Sequence, residues 1–295
     1  MNRRWGLLPL VLSVGLSLGF ATATVEPPSI RGGKFEITCL YAKSAPVDPI
    51  VSPGVRPSAH EHDFFGNTGT DQDSTGASLV GGPTTCLLSK DSAAYWLPAA
   101  YRADSMKRVR PVKVWAYYFG TPGVTETHFP AGLEMLTGNP HATSPAEAAE
   151  ISFSCGNGHG ITHSPTMPRP YNCKRNPDVT NSIGVVAVVK FPYCWDGTGT
   201  LPTDVSFPDP AGDGSCPVFT VPQLQMHVHY GTNRFHPGFQ AGNLLTFSSG
   251  PWWTLHADFM NGWAQSKLDA LVDGCQNAPN VNCGFLTDAN PGPSA

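Results

Sequence analysis

The chain has 295 residues, of which only 14% are charged, and its formal net charge at pH 7 is −4. This sparse, slightly acidic charge does not fit nucleic-acid binding, because contacts to phosphates need clustered Lys and Arg. The 31 Gly and 29 Pro residues indicate many turns, and with so few charged residues they predict a mainly β, loop-rich protein.

Residues 1–23 have the three parts of a secretory signal peptide. Arg3 and Arg4 form the charged start, Gly6–Phe20 is an apolar stretch, and Ala21–Ala23 supplies a small-residue cleavage site. The apolar stretch is too short for a membrane-spanning helix, which needs about 20 apolar residues. We therefore expect a secreted, extracellular protein with no membrane span in the mature chain; a retained membrane anchor is the alternative.

No linker or internal repeat divides the mature chain, so we expect one domain over residues 24–288 and a disordered tail at 289–295. An even number of cysteines in an exported chain implies disulfides, and none of them stands in a C-x-x-C pair that would favour a zinc–thiolate site. Eight cysteines allow 105 pairings, so the connectivity stays open. Proximity in sequence favours four pairs: Cys39–Cys86, Cys155–Cys173, Cys194–Cys216 and Cys275–Cys283.

Runs rich in apolar and β-branched residues, several of them alternating with polar ones, predict strands. They are Lys34–Tyr41, Val112–Phe119, Ile183–Phe191, Leu224–Tyr230 and Leu244–Phe247. Helical signals are confined to a short turn at 144–150 and a C-terminal helix within 262–275. We predict a disulfide-tied β-sandwich of jelly-roll type, with long loops, above all an ordered loop over Ala42–Ser105.

Two histidines separated by one residue, His60 and His62, follow the rigid segment Asp48-Pro-Ile-Val-Ser-Pro-Gly54. Residues i and i+2 of an extended chain face the same way, which suits two ligands of one metal ion or a base beside a substrate-binding group. The alternative is a pair of exposed or loop-bonded histidines. His256 and Asp258 repeat the spacing with a carboxylate that could orient an imidazole. We predict that these four side chains converge in one cleft as catalytic residues.

Other candidate site residues carry weaker signals. Asp196 follows a buried strand as a candidate acid, although an Asp-Gly pair equally well caps a turn. His227 and His229 form a third i, i+2 pair, whose alternative is the solvent side of a strand. With His60 and His62 they are the candidate metal ligands, and His229 is also a candidate substrate-binding residue. Four aromatic residues are candidate sugar-stacking groups, with core packing as the alternative: Tyr95, Trp96, Trp195 and Trp263.

Several blocks of sequence stand in the order found in a large secreted family. They are Asp48–Gly54, His60-x-His62 with Phe65-Gly66, Thr84–Cys86, Asp91-Ser with Tyr95-Trp-x-Pro98, Phe129–Met135, Phe191–Gly197 and His256–Trp263. Over about residues 34–275 the chain resembles the DUF1996 family, a domain of unknown function that occurs in fungi and bacteria. The resemblance implies no settled activity, although some fungal members carry a WSC domain, a module associated with carbohydrate binding. It carries over a set of family-pattern positions: Cys39, His60, His62, Cys86, Asp196, His256 and Asp258.

One block departs from the family pattern. Relatives typically have an Asp-x-x-His-x-x-His stretch after the Cys-Trp-Asp-Gly block, but here the sequence is Leu201-Pro-Thr-Asp-Val-Ser-Phe-Pro208, without histidine. If the family histidines belong to the site, this chain has lost them, or His227 and His229 substitute for them.

These observations leave three functions open. The first is a secreted enzyme that acts on extracellular polysaccharide or cell-wall glycan, a His/Asp-dependent hydrolase or lyase. The absent G-x-S-x-G, P-loop, dinucleotide and H-E-x-x-H motifs disfavour serine hydrolases, nucleotide enzymes and zincins. The second is a glycan-binding or cell-surface protein without catalysis, which the missing family histidines favour. The third is a metal-binding protein that holds copper or zinc through His-x-His pairs, so a divalent metal ion is the candidate cofactor.

Overall fold

The structure is a computed structural model that describes residues 32–155, 185–230, 245–278 and 281–294. The expected signal peptide lies outside these ranges. In chain order the strands are β1 (Lys34–Ala45), β2 (His62–Gly66), β3 (Ala94–Pro98), β4 (Ala100–Arg102), β5 (Arg108–Val109), β6 (Lys113–Phe119), β7 (Glu134–Gly138), β8 (Ile151–Cys155), β9 (Val185–Lys190), β10 (Cys194–Trp195), β11 (Val205–Ser206), β12 (Phe219–Thr220), β13 (Gln223–Tyr230), β14 (Leu245–Phe247), β15 (His256–Met260) and β16 (Gly284–Leu286). The helices are α1 (Gly76–Leu79) and α2 (Gln265–Val272), with 3-10 turns at Pro145–Glu147, Pro202–Asp204 and Trp252–Thr254 and a π turn at Asp273–Asn277.

Ten strands form one large sheet. Its order is β7-β15-β3-β2-β1-β6-β13-β9-β8, with β16 beside β1, and β1–β16 is the one parallel pair in the described chain. The two ends of the sheet approach each other, because the Thr137 hydroxyl of β7 donates to the Lys190 carbonyl of β9 at 2.6 Å. The sheet is therefore nearly closed, and two small sheets accompany it: β11-β10-β12 and β14-β4-β5.

The long strand β1 turns the sheet. Its first part pairs with β6, from Lys34 to Leu40, and its last part pairs with β2, where Ala45 lies opposite His62. The register shifts between Tyr41 and Lys43, and such a bulge bends a strand and increases its twist. One continuous strand thus links the two halves of the sheet and sets where β2 begins.

The sheet is covered on both faces along β2, β3 and β15, whose residues are all buried. Side chains alternate between faces, so Phe65 enters the main core inside the curl while Phe64 faces outward. The outward side chains of these strands form a second apolar cluster with Val47 and with Leu79 of α1; its strand members are Phe64, Ala94, Trp96 and Met260. Residues 46–60, which we call the cover segment, lie over this face, and the Ser58 amide donates to the Pro46 carbonyl at 2.9 Å across its two ends.

The mainly β class and the C-terminal helix are confirmed, although α2 is shorter than predicted. The sandwich of jelly-roll type is not confirmed, because a single sheet curls on itself instead. The prediction of a long loop over residues 42–105 is wrong, since β2, α1, β3 and β4 lie within it. Strands that are buried on both faces show no polar–apolar alternation, which is why the pattern did not indicate them.

Three of the four disulfides favoured by sequence proximity are present: Cys39–Cys86, Cys194–Cys216 and Cys275–Cys283. The Cys155–Cys173 pair lies outside the described side chains. Residues 289–294, for which the composition predicts disorder, lie beside α2, and the Lys267 ammonium donates to the Gly292 carbonyl at 3.4 Å and to that of Pro293. Within the described ranges, no helix combines the length and apolar character that crossing a bilayer requires.

A chain of hydrogen bonds crosses the main core. The Trp263 indole donates to the Tyr118 hydroxyl at 3.1 Å, which donates to the Tyr95 hydroxyl at 2.7 Å, which donates to Asp91 Oδ2 at 2.8 Å. The Ala93 amide donates to Asp91 Oδ1 at 3.1 Å. An indole can only donate, which directs the chain towards the carboxylate. Each link pairs a buried polar group that would otherwise cost about 1–3 kcal/mol.

The first prediction concerns the pH dependence that Asp91 imposes on stability. Complete burial raises the pKa of Asp91 to about 7, against the opposing effect of the bonds from Tyr95 and Ala93. The folded protein keeps a proton that the unfolded chain, with a carboxyl pKa of about 3.9, releases as the pH rises from about 4 to about 7. The contribution of Asp91 to the free energy of unfolding therefore decreases between about pH 4 and about pH 7 and stays constant at higher pH. The Asp91→Asn variant has no titrating group at this position. The free energy of unfolding of the variant minus that of the wild type should therefore be higher at about pH 7.5 than at about pH 4.5, by up to about 3 kcal/mol.

Urea unfolding of both proteins at the two pH values measures this difference. The amide leaves one donor of the core chain without an acceptor, but that cost does not change with pH. A difference between the two proteins that is the same at both pH values would contradict the raised pKa.

Candidate active site

A cavity of about 320 Å³ lies on the outer face of the sheet, between the cover segment and strands β2, β7 and β15. This volume is at the small end of the range of ligand pockets, about 300–1,000 Å³. Its polar lining residues are Asp48, Ser52, Ser58, His60, His62, Thr137, His141, Ser248, Ser249, His256 and Asp258. No Trp, Tyr or Phe is among the residues that line it in the described chain.

Three imidazoles meet in this cavity. The Nε2 atoms of His60 and His256 are 3.1 Å apart, and one nitrogen from each of His60, His62 and His256 lies within 4.8 Å of the other two. His60 comes from the end of the cover segment, His62 begins β2 and His256 begins β15. The structure therefore brings together the two histidine motifs that stand 196 residues apart in the sequence.

Backbone carbonyls fix the orientation of two of the rings. His62 Nδ1 donates to the Val47 carbonyl and His256 Nδ1 donates to the Thr254 carbonyl, each at 3.0 Å. A carbonyl can only accept, so Nδ1 carries the proton in both rings and Nε2 of the neutral ring presents a lone pair. His60 Nε2–H then donates to His256 Nε2. The lone pairs of His62 and His256 are directed into the same small volume.

Burial keeps these imidazoles neutral, because the charged form loses its hydration. It lowers the pKa of His60, and it lowers the pKa of His62 well below the usual range, with further repulsion from the two neighbouring rings. The pKa of His256 is lowered to about 4, again mainly by burial. At neutral pH the cavity therefore offers neutral imidazoles, the form that accepts protons or binds metal ions.

Two carboxyl groups complete the cavity. Asp48 Oδ1 accepts from the amides of Ile50 and Val51 at 3.2 and 3.0 Å, while its Oδ2 lies 3.9 Å from His62 Nε2. Asp258 is fully buried, and neither of its oxygens has a hydrogen-bond partner among the described residues. Burial raises the pKa of Asp258 well above its usual range, and the nearby Asp48 adds to the rise. Burial thus favours the protonated form of Asp258, which lies at the wall of the cavity.

Asp258 does not have the orienting role that the i, i+2 spacing predicts. The Nδ1–H of His256 is taken by Thr254 and its Nε2 by His60, so the ring has no N–H left for a carboxylate. The prediction that Asp258 orients His256 is wrong, although both residues line the same cavity.

The aromatic candidates lie elsewhere. Tyr95 and Trp263 belong to the hydrogen-bonded chain in the main core, and Trp96 is fully buried against Phe64, with ring centroids 5.6 Å apart. Trp195 lies in the small sheet of β10. None of the four lines the cavity, so the sugar-stacking role that the sequence suggested has no support here.

His227 and His229 also lie outside the cavity. They point from β13 to the outer face of the sheet, where His229 packs against Trp115 and His227 against Tyr117, with ring centroids 4.0 and 4.4 Å apart. Both are buried rather than solvent-facing. They do not join His60 and His62 as ligands of one ion, and His229 does not line a substrate pocket with them.

Asp196 has the turn-capping role. Its Oδ1 accepts from the Thr198 amide and hydroxyl, both at 2.8 Å, in an exposed turn. The segment 201–208, for which the family resemblance implies histidines, contributes no residue to the cavity either. The three-imidazole cluster is therefore complete without that family stretch.

Sequence reasoning missed several residues of the site. Asp48 was recognised only as the start of a Pro/Gly segment, and His141 carried no motif at all. Gly138 had a readable signal, since a glycine inside a strand marks close approach of another backbone. It lies opposite His256 in the β7–β15 register, with a φ of +83°.

A comparison with known families agrees with this geometry. The family described as a domain of unknown function, DUF1996, matches residues 48–263, which contain every residue named in the cavity. The chain belongs to the DUF1996 family. No protein with a curated description matches it, and no solved structure does. The description of the DUF1996 family names no activity.

Gly138 gives the second prediction. A Cβ at this position would lie 2.5 Å from the Leu255 carbonyl oxygen and 2.7 Å from His256 Cα. Gly138→Ala should therefore lower the free energy of unfolding by about 2–4 kcal/mol, from backbone strain together with the clash. The matched control is Gly123→Ala, with a similar φ of +78° and nothing within 4 Å of the added Cβ, which should cost about 1 kcal/mol.

Urea unfolding measures both variants. Equal losses of stability would show that the close approach of β7 to His256 is not what requires the glycine.

Proposed function

We propose that this protein is a secreted enzyme that cleaves extracellular polysaccharide, with its catalytic groups in the cavity beneath the cover segment. The observation that carries the proposal is Asp258, a fully buried carboxyl without a hydrogen-bond partner among the described residues, beside three neutral imidazoles. An unpartnered buried polar group costs stability, and groups of this kind with shifted pKa values concentrate at functional sites.

The cavity supplies both halves of acid–base catalysis. Cleavage of a glycosidic bond by water needs an acid for the leaving oxygen and a group that activates the water. Asp258 is the acid, because its raised pKa keeps it protonated. The imidazole cluster with Asp48 activates the water and takes its proton. The bond from the water oxygen to the sugar carbon forms as the bond to the leaving oxygen breaks, and the proton of Asp258 passes to that oxygen.

The lining favours a hydroxylated substrate over an apolar one. Five hydroxyl side chains line the cavity: Ser52, Ser58, Thr137, Ser248 and Ser249. The small volume favours a chain end or a short oligosaccharide rather than a long stretch of polymer. The carbohydrate-associated module of some family members and the expected secretion support the same substrate class.

Elimination is a second way for the same groups to break a glycosidic bond. In a uronate-containing polysaccharide, the imidazole cluster would remove the proton next to the carboxylate and Asp258 would protonate the leaving oxygen. The product then carries a new carbon–carbon double bond, so its ultraviolet absorbance distinguishes a lyase from a hydrolase.

The third prediction tests Asp258. On a panel of microbial and plant polysaccharides, the wild-type protein should release new reducing ends, with or without absorbance from unsaturated uronate. Asp258→Asn keeps the size of the side chain but removes the acid, and should lower the rate about 100-fold or more. Asp196→Asn is the matched control, because the same change in an exposed turn should leave the rate within about twofold of wild type.

Two results would contradict the proposal. Retention on a glycan column without any product would indicate a glycan-binding protein instead of an enzyme. Equal rates for Asp258→Asn and wild type would show that the reaction does not take place in this cavity.

A further inference from the structure

We propose that His60, His62 and His256 hold one divalent transition-metal ion of the zinc or copper class at the cavity. Binding of the ion follows from the geometry of the three rings alone. Its role, the activation of the attacking water, rests on the proposed function; with the ion bound the imidazole lone pairs are occupied, and Asp48 takes the proton of the water.

The distances suit a shared ion. Two imidazole nitrogens at about 2.1 Å from one tetrahedral ion lie about 3.4 Å apart. The Nε2 atoms of His60 and His256 are 3.1 Å apart, and the third ring brings a nitrogen within 4.8 Å of both. Binding of the ion replaces the hydrogen bond between these two Nε2 atoms: the proton of the neutral His60 ring moves to Nδ1, so that Nε2 of His60 and of His256 each offers a lone pair.

The outer partners of the rings are those of metal ligands. A histidine that binds a metal through one nitrogen usually donates its other N–H to a carbonyl or carboxylate, which fixes the tautomer and the ring plane. His62 donates to the Val47 carbonyl and His256 to the Thr254 carbonyl. Two rings from distant parts of the chain are thus held with the same nitrogen, Nε2, directed inward.

Asp48 lies beside the three rings. Its Oδ1 is held by two backbone amides, and its Oδ2 lies 3.9 Å from the lone pair of His62 Nε2. The separation exceeds that of two ligands on one ion, so Asp48 accepts a hydrogen bond from a metal-bound water.

The ligand set identifies the class of ion. Imidazole nitrogens suit zinc and copper, whereas calcium and magnesium require mostly oxygen ligands. Three protein ligands leave a coordination position for water or substrate, as in catalytic zinc sites. That position faces the cavity where Asp258 lies.

The fourth prediction is a metal titration of the full secreted chain, purified without a histidine tag and stripped with chelator. Calorimetry should show one equivalent of Zn²⁺ or Cu²⁺ and none of Ca²⁺ or Mg²⁺. His60→Ala, a change at a half-buried position of the cover segment, should weaken the affinity about 100-fold or more. His128→Ala removes an exposed imidazole that contacts Asp273 instead, and should bind as the wild type does.

Paramagnetic resonance of the Cu²⁺-loaded wild type tests the ligands without any variant, because three imidazole nitrogens split the signal. Failure of the wild type to bind one equivalent of either ion, or equal affinities for wild type and His60→Ala, would overturn the metal site. Polysaccharide cleavage by the stripped protein would overturn only the metal's catalytic role. One equivalent of tightly bound ion without cleavage of any polysaccharide would keep the metal site and reject the proposed function.

Discussion

Coverage of both faces of β2, β3 and β15 is the constraint on which the site depends. A sheet with one solvated face would hydrate its outward side chains, but here the cover segment and the second apolar cluster exclude water from them. The outward positions of these strands hold His62, His256 and Asp258 together with Phe64 and Met260. Polar groups in such a place need partners within the protein or a ligand, and the apolar residues beside them hold the cover segment down.

Asp91 and Asp258 are both fully buried carboxyl groups that have lost their hydration, but they differ in their hydrogen-bond partners. Asp91 accepts bonds from Tyr95 and Ala93, and the chain through Tyr118 to Trp263 leaves no donor unused. Asp258 is buried as completely, yet has no such partner in the described chain. The first arrangement stabilises the core, and the second leaves a fully buried carboxyl group without a partner at the wall of the cavity. Burial and a raised pKa alone would not separate these roles, because both carboxyl groups have them.

Much of the site could be predicted from the sequence, because residues i and i+2 of an extended backbone face the same side. His60 and His62 have this spacing, and so do His256 and Asp258. The strands that carry them could not be predicted, since residues buried on both faces show no alternation. Tyr95 and Trp96 illustrate the same limit: adjacent residues of a strand face opposite sides, and nothing in the sequence shows which side meets the cavity. The bond from His256 Nδ1 to the Thr254 carbonyl, which leaves no N–H of this ring for Asp258, has no signal in the sequence, because the fold determines the position of that carbonyl.

The Cys39–Cys86 bond encloses a covalent ring of chain in which Asp48, His60 and His62 all lie, and the sequence separation of the two cysteines is 47. In the loop-entropy model, closing a ring of this length limits the unfolded chain by about 4 kcal/mol. If the cover segment lifts from the sheet, the tether keeps its residues close to the strands from which they came. Reduction of the Cys39–Cys86 bond would therefore release this tether without removing any contact within the cavity.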